Sequence, residues 1–209
     1  MLRILIADDH AVVRKGLKQI LVDEFKEIQV EEVTDAEQMI NAVMDSKWDM
    51  VISDIHMPGR SGLDALKQIR HVYPNLPILI LSLHSEDHYA IRVLKAGASG
   101  YLSKDSAADD LVTAVQRILS GKKYFSSDVV EKLIKTMGAD ESKLAYEYLS
   151  NREFDVMGHL ASGKSVSEIA EMLSLSVATI STYRSRILAK TGLKSNSDLT
   201  RYAMENHLI

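Results

Sequence analysis

The chain has 209 residues, 46% hydrophobic and 26% charged, enough for one or two domains at about 100–200 residues each. It contains no Cys, which excludes disulfide frameworks, thiol nucleophiles and Cys-ligated metal centres. The net charge of −4 is uneven: residues 1–120 carry −5, 121–148 carry 0 and 149–209 carry +1, so an acidic half suits a cation and the other tolerates a polyanion.

The first apolar run, in MLRILIADDH, is too short for a signal peptide or a membrane span, and no later stretch is long and uncharged enough to span. A cytoplasmic protein is expected, with no membrane partner.

From the N-terminus, strands are predicted at 2–7, 28–33, 50–53, 78–83 and 100–102. The first, third and fourth are nearly continuous apolar runs, as in strands buried on both faces. Helical patterns lie between and after them, at 12–22, 36–46, 62–72, 89–96 and 107–120. Five βα units in a row predict an α/β domain over residues 1–120, a parallel sheet with right-handed crossovers and helices on both faces.

The pattern breaks at Gly121-Lys122-Lys123. Residues 121–148 are read as a linker carrying one helix near 128–137. An all-α domain follows over 149–209. Ser150-x-x-Glu153 and Ser165-x-x-Glu168 fit the capping box, Ser176 can cap a third helix, and a last amphipathic segment runs over 197–205.

Asp8 and Asp9 lie just past the first strand and Asp54 just past the third. Ligands of open parallel sheets bind beyond the carboxyl ends of the strands. In the strand order 2-1-3-4-5 these three acids converge, where they repel unless a cation joins them. Mg²⁺, which takes one or two carboxylates and keeps several waters, suits that donor set. Taken singly, Asp8 and Asp9 read equally well as helix caps, and Asp54 as a loop acid. Lys104, after the fifth strand, reaches the same rim, and Ser82 adds a hydroxyl there. Metal, carboxylate, ammonium and hydroxyl together suit a phosphoryl group accepted on Asp54.

These residues carry a resemblance. With LIADDH, ISDIHMPGRSG, ILSLHS and GYLSKD in order, residues 1–120 resemble a response-regulator receiver domain, a flavodoxin-like fold. The resemblance implies phosphorylation of Asp54 by a sensor histidine kinase. It also implies Mg²⁺ held by Asp8, Asp9, Asp54 and the backbone carbonyl of His56, with Ser82 and Tyr101 as a switch pair. Many such domains have Pro after the Lys, joined by a cis bond. Asp105 stands there in this chain, and a trans bond is expected. His56 and His84 are read as solvated loop imidazoles, or as setting the rate of dephosphorylation.

Residues 165–190 read as helix, short turn, helix. A helical wheel places Ile180, Ile187 and Thr191 on one face with Leu188 at its edge, and Ala178, Thr182, Ser185, Arg186 and Ala189 opposite. The outer face is small, polar and basic, as in a helix that seats in a DNA major groove. The bland alternative is a solvated surface helix. Residues 149–209 resemble a LuxR/FixJ-type helix-turn-helix, and the whole chain the NarL/FixJ response regulators, in a BvgA/EvgA-like variant with its Ser-Thr-Tyr run. Base contacts are expected from Ser181, Thr182, Ser185 and Arg186. Phosphate contacts are expected from Arg184, whose stem would lie along the core, and from Lys164, Ser165 and Lys190. Tyr202, Met204 and Leu208 serve either the core or a dimer face.

The expected protein is thus a transcription regulator, homodimeric when active, that binds double-stranded promoter DNA and has no enzymatic activity beyond its own phosphotransfer and dephosphorylation. A haloacid-dehalogenase-like phosphatase fits less well, because His56 stands where its second Asp would be. A DNA-binding protein with a phosphate-insensitive receiver is the remaining alternative.

Overall fold

The computed structural model describes residues 1–82, 87–126, 129–131, 145–206 and 208–209. The chain divides into two compact units, Met1–Ala139 and Asp140–Ile209.

The first unit runs β1 (Leu2–Ala7), α1 (Ala11–Glu24), β2 (Ile28–Val33), α2 (Ala36–Asp45), β3 (Met50–Asp54), α3 (Gly62–Val72), β4 (Ile78–Ser82), α4 (Asp87–Lys95), β5 (Gly100–Ser103), α5 (Ala107–Leu119). The sheet order is β2-β1-β3-β4-β5, with every neighbouring pair parallel. All of β3 and β4 is buried, as is β1 from Ile4 onward, because helices cover both faces of the central strands. Ile4, Ile6, Ile52 and Leu81 meet Leu17, Leu21, Leu111 and Val115 of α1 and α5 on one face. Strands one and three being neighbours, Ala7 pairs with Ser53, and the acids that follow both strands share one edge.

Residues that follow α5, read as the start of a linker, lie along β5. The Tyr101 N–H donates to the Tyr124 carbonyl and the Tyr124 N–H to that of Ser99, each at 2.9 Å. As an edge strand, β5 leaves these backbone groups unpaired within the sheet, and the chain satisfies them itself. The helix expected near 128–137 falls largely outside the described residues.

The second unit holds a 3₁₀ turn (Ala145–Tyr148), α6 (Asn151–Ala161), α7 (Val166–Met172), α8 (Val177–Thr191) and α9 (Asn196–Glu205). Both expected capping boxes form, at Ser150/Glu153 and Ser165/Glu168, and Ser176 accepts from the Thr179 N–H. Gly192, at φ 73°, ends α8 in the left-handed conformation a helix stop favours. Phe154, Met157, Ile169, Ile180, Ile187 and Leu199 are buried. Of the residues assigned to core or dimer face, Leu208 is buried and Met204 is 60% exposed. Tyr202 is half-buried, its hydroxyl accepting the Tyr146 N–H.

Candidate functional site

In the first unit, the site begins with a buried ion cluster. Asp8 and Asp54 are buried among apolar strand residues, a placement that costs free energy unless each charge is answered. Lys104 answers both: its ammonium lies 2.7 Å from Asp8 Oδ2 and 2.8 Å from Asp54 Oδ2. Local structure aims it there. Ser82 pairs with Ser103 across β4 and β5, and the Lys104 N–H donates to the Ser82 carbonyl at 2.7 Å, so the side chain rises at the strand ends. It is only 6% exposed. Burial pushes the Asp54 carboxyl above the usual range, and the Lys104 ammonium offsets only part of that. Burial alone would lower Lys104, but Asp54 and Asp8 raise it, so the ammonium stays charged.

The His56 N–H donates to Asp54 Oδ1 at 3.2 Å. Ser82 is buried at the end of β4. Tyr101 is half-buried and lines a cavity of about 350 Å³ between β5, α5 and the stretch after it. His56, read as a solvated imidazole, is instead half-buried and meets Tyr89 of α4 edge-on at 5.7 Å. His84 lies outside the described residues. The peptide joining Lys104 to Asp105 is trans.

Asp8, Asp9, His10 and Asp54 each offer one ligand atom, all within 4.8 Å of one another, so the cluster can hold a divalent cation. The donor set fits a hard one. Asp8 Oδ2 is buried, and the partner it meets is the Lys104 ammonium at 2.7 Å. The carboxylates outnumber the ammonium, leaving the pocket net negative.

Sequence reasoning missed two residues here. His10 Nδ1 sits 2.8 Å from Asp9 Oδ1 and 3.2 Å from Asp8 Oδ1, and its place next to the acid pair was the available signal. Gly62 opens α3 so close beneath Asp54 that a Cβ there would lie 1.9 Å from the Asp54 carbonyl oxygen. No local pattern signals that approach.

In the second unit, Ala178, Ser181, Thr182, Ser185, Arg186 and Ala189 are exposed on α8, while Ile180 and Ile187 are buried. Thr182 and Ser185 donate their hydroxyls to the Ala178 and Ser181 carbonyls, 2.9 and 3.1 Å away. Three cations expected at phosphates have partners within the unit. Arg184 donates through Nε to Asn196 Oδ1 at 2.7 Å, so its guanidinium is anchored on α9 instead of extending freely outward. Lys190 lies 2.6 Å from Glu153, whose burial demands a counter-charge. Lys164 Nζ lies 3.3 Å from His159 Nδ1. Ser165 caps α7 as expected. Its backbone N–H, however, donates to the Glu168 carboxylate at 2.7 Å, so an acid of the chain already occupies part of the expected anion site.

Comparison with known proteins agrees with both halves. Residues 4–116 match the response regulator receiver domain, and residues 147–203 the bacterial regulatory proteins of the luxR family. The response regulator UvrY of Escherichia coli K12 is 33% identical over 210 residues, covering 100% of this chain and 96% of that protein. The oxygen regulatory protein NreC of Staphylococcus carnosus is 34% identical over 215 residues, covering 100% and 99%. Among solved structures, RcsB of Salmonella enterica serovar Typhimurium, bound to promoter P1flhDC with the phosphomimetic BeF3-, is similar at 29% identity. Its TM-score is 0.59, with 96% of this chain and 97% of that one covered. The response regulator ChrA of a heme-sensing two-component system is similar at 30% identity and a TM-score of 0.51, over 100% and 98% of the chains. The chain therefore belongs to the NarL/FixJ family of two-component response regulators, which join a receiver domain to a LuxR-type DNA-binding domain.

Proposed function

We propose that Asp54 is the phosphoryl acceptor of a cytoplasmic transcription regulator, and that its phosphorylation controls dimerisation and binding to promoter DNA. The observation that carries this reading is the Lys104 ammonium seated between the Asp8 and Asp54 carboxylates. An ammonium so placed neutralises a phosphoryl oxygen once Asp54 carries one. One Asp54 oxygen attacks phosphorus, the P–N bond of a kinase phosphohistidine breaks, and the imidazole leaves with the bond pair. Asp8, Asp9, Asp54 and the His56 carbonyl would hold Mg²⁺, which supplies charge neutralisation for the transferring group. Ser82 and Tyr101 are the proposed switch: the hydroxyl moves toward the phosphoryl group while the ring rotates inward.

The receiver is assigned to residues 1–120, a linker to 121–148 and the DNA-binding domain to 149–209. Base contacts are assigned to Ser181, Thr182, Ser185 and Arg186, all exposed on one face of α8. Phosphate contacts fall to Lys164, Ser165 and the remaining donors of Arg184. Lys190, 41% exposed beside Glu153, belongs to the same phosphate-contacting set. The protein acts as a binding regulator, its only chemistry being its own phosphotransfer and dephosphorylation.

The test is labelling with acetyl phosphate and Mg²⁺, followed by selection of DNA from random sequence with and without the phosphoryl donor. Labelling that is lost in Asp54→Ala, with tighter DNA selection after labelling, is expected. Labelling that persists in Asp54→Ala would refute the acceptor assignment, and identical DNA affinity in both states would refute the control.

A further inference from the structure

The Asp8–Asp9 loop is held by a residue with no role so far. Asp8 is fixed through three of its own groups. Its N–H donates to the Val33 carbonyl at 3.2 Å, and its Oδ1 accepts the His10 N–H at 2.8 Å. Its carbonyl accepts a hydrogen bond from Arg14 Nη1 at 2.7 Å. Arg14 lies one turn into α1, and its side chain is only 14% exposed. Its Nε faces Glu32 Oε2 at 3.7 Å, and the other Glu32 oxygen lies 2.8 Å from Lys18 Nζ. Glu32 in turn sits on β2, paired in register with Ile6 of β1. The guanidinium therefore bridges the neighbouring strand and the peptide that carries the acids.

We infer that Arg14 is a positioning residue: by clamping the Asp8 carbonyl against Glu32, it sets the direction in which Asp8 and Asp9 present their carboxylates to a divalent cation. The inference rests on the proposed cation site. Asp8 must turn its side chain into the sheet edge, toward Lys104, while its backbone leaves β1 for α1. A peptide at such a bend keeps its orientation only if its carbonyl is held, and among the described residues Arg14 is what holds it. Charge alone would act in the opposite direction, because a cation beside an acidic pocket repels a second one. Geometry and charge thus predict effects of opposite sign.

The experiment is calorimetric titration of the full-length protein with Mg²⁺, and with Mn²⁺ followed by the spin resonance of the free ion. Arg14→Lys keeps the charge and loses the planar fork, Arg14→Met loses both, and Glu32→Gln loosens the clamp without touching the loop. Partners outside a metal's ligand set typically change affinity by about 10–100-fold. Expected is a loss of about 10-fold in both Arg14 variants and a smaller loss in Glu32→Gln. Labelling of Asp54 by acetyl phosphate should need correspondingly more Mg²⁺ yet reach the same maximum. Three results would overturn the inference: unchanged affinity in Arg14→Lys, tighter binding in Arg14→Met, or a lower labelling maximum at saturating Mg²⁺. Should Arg14→Met fail to fold, Arg14→Lys and Glu32→Gln still decide. A wild-type protein that takes up neither ion would instead refute the cation site itself.

Discussion

Gly62 offers the sharpest test of how the receiver unit presents Asp54. In Gly62→Ala the new methyl group would sit 1.9 Å from the Asp54 carbonyl oxygen and 2.7 Å from Ser53 Oγ. Taking about 3.3 Å as a comfortable carbon–oxygen approach, either α3 or the Asp54 peptide must move by roughly 1.4 Å. Neither is free. The Gly62 N–H donates to the Ile55 carbonyl at 3.0 Å, Ser61 caps α3, and Asp54 is paired with Leu81 of β4. Overpacking of this kind costs about 3 kcal/mol, the upper end of its usual range. For a unit of this size that lowers the melting temperature by roughly 10 °C. Trp48, the chain's one tryptophan, is buried in this unit, so its fluorescence follows the unfolding. Asp54 labelling by acetyl phosphate should slow as well, because the displaced carbonyl and the acceptor carboxylate belong to one residue. Gly16→Ala is the matched control, with the same change in the unfolded chain but open space around the Cβ in α1. It should stabilise by about 0.5–1 kcal/mol. If Gly62→Ala proved as stable as Gly16→Ala and labelled at the normal rate, the close-approach reasoning would be wrong.

Lys104→Met leaves two buried carboxylates facing each other and should destabilise the receiver unit by about 3–5 kcal/mol at neutral pH. Adding Mg²⁺ should return part of that loss in chemical denaturation, and a loss that Mg²⁺ does not alter would count against the cation site. In the second unit, burial alone would raise Glu153, but Lys190 and Ser150 outweigh it and hold the carboxyl below its usual range. A depressed folded-state pKa contributes stability above the unfolded value and loses it as pH falls through the folded one. Glu153→Gln should therefore cost about 1–2 kcal/mol at pH 7, a figure kept low because Lys190 is 41% exposed, and cost nothing in strong acid, as read by circular dichroism. Ser174, exposed in the turn before α8, has φ 53°. Ser174→Gly should stabilise the unit by about 0.5–1 kcal/mol, and equal or lower stability in urea would refute strain at that turn.

Much of the architecture was legible because its signals are local. Strand runs and helix periodicity placed every element of the receiver unit, with most ends within two residues. Ser150, Ser165 and Ser176 announced three helix starts through contacts spanning three residues. The outward face of α8 followed from its wheel, with Ser181, Thr182, Ser185 and Arg186 exposed as expected. Charge pairing in the second unit was not legible. Nothing near Lys190 in the sequence marks Glu153, 37 residues earlier, as a buried acid that pairs with it. Nothing local to Arg184 signals that α9 brings Asn196 beside it. The residues after α5 read as linker because a polar composition carries no sign of the unpaired edge of β5 that accepts Tyr124.

By itself, then, the order of residues determined which elements form, which end of the sheet carries the acids, and which helix face is basic and small. These follow from propensities and spacings within about four residues, where the chain's own geometry fixes what meets what. Tertiary structure alone decided that Lys190 lies against the buried Glu153, that Arg14 holds the Asp8 carbonyl, and that only a hydrogen fits at Gly62. Such contacts depend on differences of an ångström between packed layers. Those differences are set by the summed volumes of a core that no single segment encodes.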